Sequence, residues 1–97
     1  MELLPTDAYF ITEKCVVSQI QPNNGNDFEL SEVQKYVDGY IEVLSLSEEQ
    51  IMIINEEGKF TKGVNQIATA IAHLHRAIQE CDYIAGDVVI CPSAMLQ

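Results

Sequence analysis

The sequence predicts a small α+β domain in which a mostly antiparallel sheet carries two helices on one face, one helix short and one long. Three observations predict it. Runs rich in β-branched and aromatic residues recur between polar turns, which is typical of strands. One later stretch repeats apolar residues at helical spacing. Successive runs are also separated by few residues, which favours antiparallel hairpins. The predicted order is β-(β)-α-β-β-α-β, in a single domain over residues 1–97.

The N-terminal part predicts one extended segment followed by a loop. Residues 8–20 contain β-branched and aromatic types and are expected to form one strand with an irregular start. Residues 21–27 combine Pro22, Gly25 and three asparagines, which is the clearest loop composition in the chain. A short return strand at residues 28–30 accounts for the bracketed strand in the predicted order.

The middle of the chain predicts a short helix and a hairpin. Ser31 and Gln34 have the spacing of a capping box, so a helix is expected from about residue 32 to 37. Gly39 suits the left-handed position that follows a helix. Residues 40–46 and 50–54 are then expected to pair as antiparallel strands across a short polar turn.

The C-terminal part predicts the long helix and the last strand. Asn65 suits an N-cap, and the helix is expected to continue to about Gln79. The last strand is expected to end at Pro92, which cannot donate to a ladder. The apolar stripe of the helix has 4-3-4 spacing and consists of Ile67, Ile71, Leu74 and Ile78, with Ala68 and Ala72 alongside.

The charge of the chain limits its partners. Fifteen acidic residues against five Lys and Arg give a net charge of −10. Such a surface repels phosphate, so direct nucleic-acid binding is not expected. A protein partner is expected, and the negative charge either serves solubility alone or attracts a basic partner. No apolar run approaches the length of a membrane span, and no membrane association is expected. The oligomeric state is not determined by these patterns.

Cysteine use indicates a reducing compartment. Cys15, Cys81 and Cys91 are widely spaced and odd in number, without a C-x-x-C pair, so they are expected to be reduced and mostly buried thiols. The first residues lack the positive and long apolar regions of a secretory signal. A cytoplasmic location is therefore expected.

Several polar residues fall at strand ends and turns and are the candidates for a functional surface. If the strand ends converge, the carboxylates offer the oxygen ligands that Mg²⁺ or Ca²⁺ prefers, although their spacing matches no calcium-binding loop, and no metal or other cofactor is expected. Phosphate-binding glycine motifs and a G-x-S-x-G motif are absent. The candidates are Glu42, Asn55, Glu56, Glu57, Asn65 and Asp87.

Four short motifs lie at residues 37–43, at residues 55–59, at Asn65 with Ala68, and at residues 84–87. Together they resemble an uncharacterised domain family of phages, plasmids and gut bacteria, whose members read approximately V-G-G-Y-I-E-V, N-E-E-G-K, N-x-x-A and I-x-G-D. The resemblance covers about residues 28–91, and Asp38 stands where the family pattern has its first glycine. The resemblance implies a shared fold and a mobile-element or gut-bacterial origin, and it implies no reaction.

These patterns together favour a non-catalytic acidic protein-interaction module, and the family resemblance favours an accessory protein of a phage or mobile element. The alternative is a small metal-dependent or nucleotide-related enzyme that uses Glu42, Glu56, Glu57 and Asp87 around a cleft. The two hypotheses differ in whether those side chains meet closely enough to perturb one another's pKa. A third hypothesis, a purely structural subunit, predicts a large exposed apolar patch or an obligate dimer.

Overall fold

The computed structural model describes residues 3–97. The described elements confirm the α+β class and the predicted order, with one additional short helix, α2. In chain order they are β1 (Ala8–Ile11), β2 (Val17–Ile20), α1 (Leu30–Val37), β3 (Ile41–Ser45), β4 (Gln50–Asn55), α2 (Gly58–Thr61), α3 (Gln66–Leu74) and β5 (Val88–Pro92), and a 3₁₀ turn follows at Ser93–Met95.

The strands of residues 3–97 form one antiparallel sheet in the order β2-β1-β5-β4-β3. The last strand in sequence, β5, therefore lies in the centre, with Val89 opposite Phe10 of β1 and Ile90 opposite Met52 of β4. The apolar residues of β5 are buried on both faces of the sheet. β2 and β3 are the two edge strands.

The two longer helices lie on opposite faces of this sheet, which corrects the prediction that both cover one face. Ala68 and Ala72 of α3 belong to a core cluster with Met52 and Ile90. Val33 and Val37 of α1 pack instead with residues of the alternate strand positions, among them Ile51, Ile53, Val89 and Cys91. The physical reason is that β4 and β5 are apolar at successive positions, so both faces of the sheet need a cover.

The segment at residues 8–20 is a hairpin rather than one strand. β1 and β2 pair antiparallel, with Phe10 opposite Ser18. The turn between them is closed by the amide of Thr12, which donates to the carbonyl of Val16 at 2.9 Å, and Cys15 adopts a left-handed φ of 67°. The second strand therefore lies at residues 17–20, whereas Phe28 of the expected return strand makes only an isolated bridge to Leu96.

The helix ends differ from the sequence expectation for local reasons. α1 begins at Leu30 after Glu29, which gives no side-chain cap, and Asp38 rather than Gly39 takes the left-handed conformation at its end. α3 begins after Asn65 as predicted but ends at Leu74, five residues early. Arg76 there has a φ of 56°, and the amide of Ala77 donates to the carbonyl of Ala72, which is a Schellman closure without a glycine.

Candidate functional site

The outer edge of β3 is one of the two open edges of the sheet, and exposed side chains lie along it. β3 pairs only with β4, where the carbonyl of Tyr40 accepts from the amide of Glu56 and the amide of Leu46 donates to the carbonyl of Gln50. In an antiparallel pair, residues bond to the neighbouring strand at every second position. The backbone N–H and C=O groups of residues 41, 43 and 45 therefore point away from β4 toward the open edge.

The side chains along this edge leave it open to a partner. Tyr40 is 71% exposed and Val43 is 44% exposed, and Glu42 between them is also exposed. Sheet edges are commonly protected by lysine, by proline or by a bulge. Residues 40–45, here called the β3 edge, contain neither lysine nor proline and pair with β4 in continuous register.

A small cleft adjoins the β3 edge on the α3 face of the sheet. Its volume is about 170 Å³, and it lies between β3–β4 and the segment that leads into β5. Phe60 of α2 is 87% exposed here and Tyr83 is 37% exposed, so two aromatic rings stand beside carboxylates. We call this feature the aromatic–acidic cleft and define it by Glu42, Glu56, Phe60, Asp82 and Tyr83.

One lysine of the cleft is already engaged. Lys59 forms an ion pair with Asp82, and its Nζ lies 5.1 Å from the centroid of the Tyr83 ring. The hydrogen bond from Lys59 lowers the pKa of Asp82, with a smaller contribution from the amide of Tyr83, and the same pair raises the pKa of Lys59. Among residues 3–97, no Lys or Arg lies within ion-pair distance of Glu42 or Glu56.

The structure brings two of the four candidate carboxylates to one cleft and places the other two elsewhere. Glu42 and Glu56 line the aromatic–acidic cleft, whereas Glu57 is exposed in the turn before α2. Asp87 lies elsewhere, where its Oδ1 accepts from the amide of Glu13 at 2.9 Å. Within residues 3–97, no group of three or more His, Cys, Asp or Glu side chains is arranged to hold a metal ion.

The two candidate asparagines are buried, and each uses its side-chain amide to join segments of the backbone. Asn55 donates from Nδ2 to the carbonyls of Val37 and Asp38, both at 3.0 Å, and accepts from the amide of Glu57 at 2.7 Å. It thereby joins the end of α1 to the turn after β4. Since Asn55 is only 8% exposed, its amide is fully used in holding these segments together.

Asn65 has the same kind of role at a different junction. Its side chain is completely buried. Its Oδ1 accepts from the amide of Ala68, which caps α3, while Nδ2 donates to the carbonyls of Ile11 and Gly86 at 3.0 and 2.8 Å. The N-cap was predicted from sequence, but the two bonds to β1 and to the segment before β5 depend on the tertiary fold.

The thiols differ from the expectation of mostly buried cysteines. Cys15 and Cys81 are exposed, and only Cys91 is buried; all three are free. Cys15 lies in the tight turn between β1 and β2, where the chain is at the surface. Burial raises the pKa of the Cys91 thiol from 9.0 to about 11, which keeps it protonated and unreactive at neutral pH.

Sequence reasoning missed the parts of the site that depend on strand order. Residues 40–46 were correctly expected to form a strand, but nothing in them indicates that it is an edge strand. The sequence analysis assigned no role to Phe60, although a lone phenylalanine between Lys59 and Thr61 is a signal that an aromatic side chain is exposed at the surface.

The fold and this surface define a class: a compact acidic α+β domain built on an all-antiparallel five-stranded sheet, with an open edge strand. The helices of residues 3–97 are all too short or too polar to cross a bilayer. The chain belongs to the family described as Domain of unknown function (DUF3846), whose model matches residues 8–94. The match includes the N-terminal hairpin as well as the motifs at residues 28–91. No protein of curated function and no solved structure matches the chain.

Proposed function

We propose that this domain is a non-catalytic interaction module that binds a basic, extended segment of a partner protein along the β3 edge. The observation that carries the proposal is the unprotected edge, whose backbone groups at residues 41, 43 and 45 point outward beside exposed Tyr40 and Val43. An extended peptide can add to such an edge as a further strand, with main-chain hydrogen bonds supplying affinity.

Charge selects the partner. Glu42 and Glu56 lie where a basic side chain of the added strand can reach them, and exposed Phe60 offers a ring face to the same cation. A second copy of this chain is a poor occupant, since two β3 edges would bring their Glu42 side chains together and each chain carries −10. A basic partner is instead attracted by the negative charge of the chain.

The cellular setting that we propose is the cytoplasm of a bacterium, with the gene carried by a phage or mobile element. The three free thiols, two of them exposed, fit a reducing compartment. The origin rests on the motif resemblance alone. In that setting, an acidic module of this kind is suited to occupy a basic surface of a host protein.

The test begins with capture of partners and is decided by an edge variant. Tagged protein is used to capture partners from an extract of the cell that carries the gene, at about 0.15 M salt. Val43→Pro removes an outward N–H and leaves the bonds between β3 and β4 intact, because proline is tolerated where the N–H faces solvent. Val43→Thr is the matched control, because it keeps the N–H and a β-branched side chain.

We expect the captured partner to be retained by Val43→Thr and lost by Val43→Pro, with both variants folded by circular dichroism. The double variant Glu42→Gln with Glu56→Gln should weaken the interaction and flatten its dependence on salt. Retention of the partner by Val43→Pro would contradict strand addition. If nothing is captured and Mg²⁺ or a nucleotide raises the melting temperature, the enzyme alternative replaces this proposal.

A further inference from the structure

A larger cleft on the α3 face shares no residue with the aromatic–acidic cleft. Its volume is about 740 Å³, which is within the range of small-molecule sites. Leu46 and Ile90 form a buried floor, and half-buried Ile67 and Ile71 of α3 face Val17 of the hairpin across it. We call this feature the apolar cleft. α3 contributes a small alanine face to the core, which leaves the adjoining sheet surface only partly covered.

One polar side chain, that of Gln50, lies at the floor of the apolar cleft and has no hydrogen-bond partner among residues 3–97. Gln50 is 8% exposed and lies on the α3 face, since it alternates in β4 with Met52. Its side-chain amide makes no hydrogen bond to any described residue, whereas the equally buried Asn55 uses its amide fully. In residues 3–97, every side-chain N or O atom that is fully buried has a hydrogen-bond partner. Since the Gln50 amide has none among these residues, its N and O atoms are not fully buried, and they are accessible from the cleft.

A side-chain amide that has no partner among the described residues can form hydrogen bonds with a ligand in the cavity. A buried polar group without a partner is costly, and a ligand that supplies the missing hydrogen bonds recovers that cost. The amide both donates and accepts, so it matches a carboxamide, an alcohol or a lactone. Among residues 3–97 the cleft is lined by no Lys, Arg, Asp or Glu, and its single histidine, His75, is exposed to solvent. Since the chain also carries −10, a neutral head group is favoured over an anionic one.

We infer that the apolar cleft binds a neutral amphiphilic small molecule, whose aliphatic body lies between α3 and the β1–β2 hairpin and whose polar head bonds to the Gln50 amide. This function is separate from partner binding at the β3 edge, because the two surfaces have no residue in common.

The test uses the full chain and defined probes. The neutral dye N-phenyl-1-naphthylamine reports the cleft by fluorescence, and decanamide is titrated as its competitor. Decanoate serves as the charged counterpart with the same chain. We expect decanamide to displace the dye at least about tenfold more effectively than decanoate at neutral pH, because the carboxylate must be desolvated without a cation.

Two cleft variants and one control separate binding from folding. Ile71→Trp fills the cleft and should abolish binding of dye and decanamide alike. Gln50→Met keeps the length of the side chain without its amide and should weaken decanamide about fivefold to tenfold, while dye affinity changes less than about twofold. Leu30→Ala removes an exposed leucine of α1, on the opposite face of the sheet, and should behave as the wild type.

NMR spectroscopy tests whether decanamide binds beside Gln50. In an isotope-labelled sample, decanamide should shift the side-chain NH₂ resonances of Gln50, and the Val43→Pro variant should show the same shift. The inference is overturned if decanamide fails to displace the dye, if Ile71→Trp still binds it, or if decanoate competes equally. Binding of apolar peptides but not of decanamide would also overturn it, in favour of a protein ligand.

Discussion

Gly39 and Asn55 approach each other so closely that a β-carbon on Gly39 would lie 2.7 Å from the Asn55 side-chain nitrogen. Asn55 can donate to the carbonyls of Val37 and Asp38 only because no side chain at position 39 occupies that space. This contact fixes the turn between α1 and β3, and therefore the start of the β3 edge. Two motifs that are far apart in sequence thus depend on one another.

Gly39→Ala should lower the free energy of unfolding by about 2 kcal/mol, because the added methyl group displaces the Asn55 amide from its two acceptors. Combined with Asn55→Ala, which removes the obstructing amide, it should cost less than the sum of the single changes. Urea denaturation of the four proteins of the cycle measures this. Gly25→Ala is the control, since Gly25 also has a positive φ but no neighbour within 4 Å, and it should show no coupling to Asn55.

Asn65→Ala should be among the most destabilising polar substitutions, at about 3 kcal/mol. It removes the cap of α3 and leaves the carbonyls of Ile11 and Gly86 without their donor in a buried position. Asn26→Ala, at an exposed loop position, should change stability by less than about 0.5 kcal/mol. Equal stability losses in the two variants, measured by chemical denaturation, would contradict the described role of Asn65.

The three thiols should react in two classes. At pH 8, a disulfide reagent should modify Cys15 and Cys81 in the folded protein, and Cys91 should react only after unfolding, because it is buried and its pKa is raised. Counting modified thiols by mass spectrometry with and without urea checks this. Modification of all three at equal rates in the native protein would be inconsistent with a buried Cys91.

The same thiol predicts a loss of stability at high pH. The unfolded chain loses the Cys91 proton near the ordinary value of 9.0, whereas the folded protein keeps it to about 11. The unfolded state therefore binds fewer protons in this window, and stability should fall as pH rises from about 9 to 11. In Cys91→Ala the decline should be smaller than in the wild type, as measured by urea midpoints across the window. Parallel curves for the two proteins would refute the prediction.

Asp38 occupies a position where glycine is the better residue for the backbone. Its φ of 61° is left-handed, a conformation that glycine adopts at a lower cost than aspartate. Asp38→Gly should raise the melting temperature by about 2–5 °C, because the exposed ion pair that it loses with Lys62 contributes little. A melting temperature below that of the wild type would show that the ion pair outweighs the backbone preference.

Asp38→Asn isolates the charge, since asparagine also tolerates the left-handed region. The Lys62 hydrogen bond lowers the pKa of Asp38 below its ordinary 3.8, so the contribution of the pair is present above that pH and is lost as pH falls through the lowered value. Wild type and Asp38→Asn should therefore become equally stable in acid. A constant difference across the pH range would exclude the ion pair as its cause.

Local patterns were sufficient for most elements. The continuous apolar run at residues 51–54 identified a buried strand, and the 4-3-4 spacing of apolar residues after the Asn65 cap identified α3. The early end of α3 was missed because Arg76 adopts a conformation that glycine normally signals. Likewise, the hairpin at residues 8–20 was read as one strand, because its turn at Cys15 contains neither glycine nor proline.

The chain's short-range chemistry therefore accounts for its fold class, its acidic character and the caps and turns that carry the family motifs. Strand order, the placement of α1 and α3 on opposite faces, the exposure of the β3 edge and the unpaired Gln50 amide arose only in the folded molecule. The reason is that periodicity reports which residues of an element share a face, while pairing between distant strands depends on the packing of the whole core. Both proposed binding surfaces belong to this second group, because each is formed where the sheet is left uncovered.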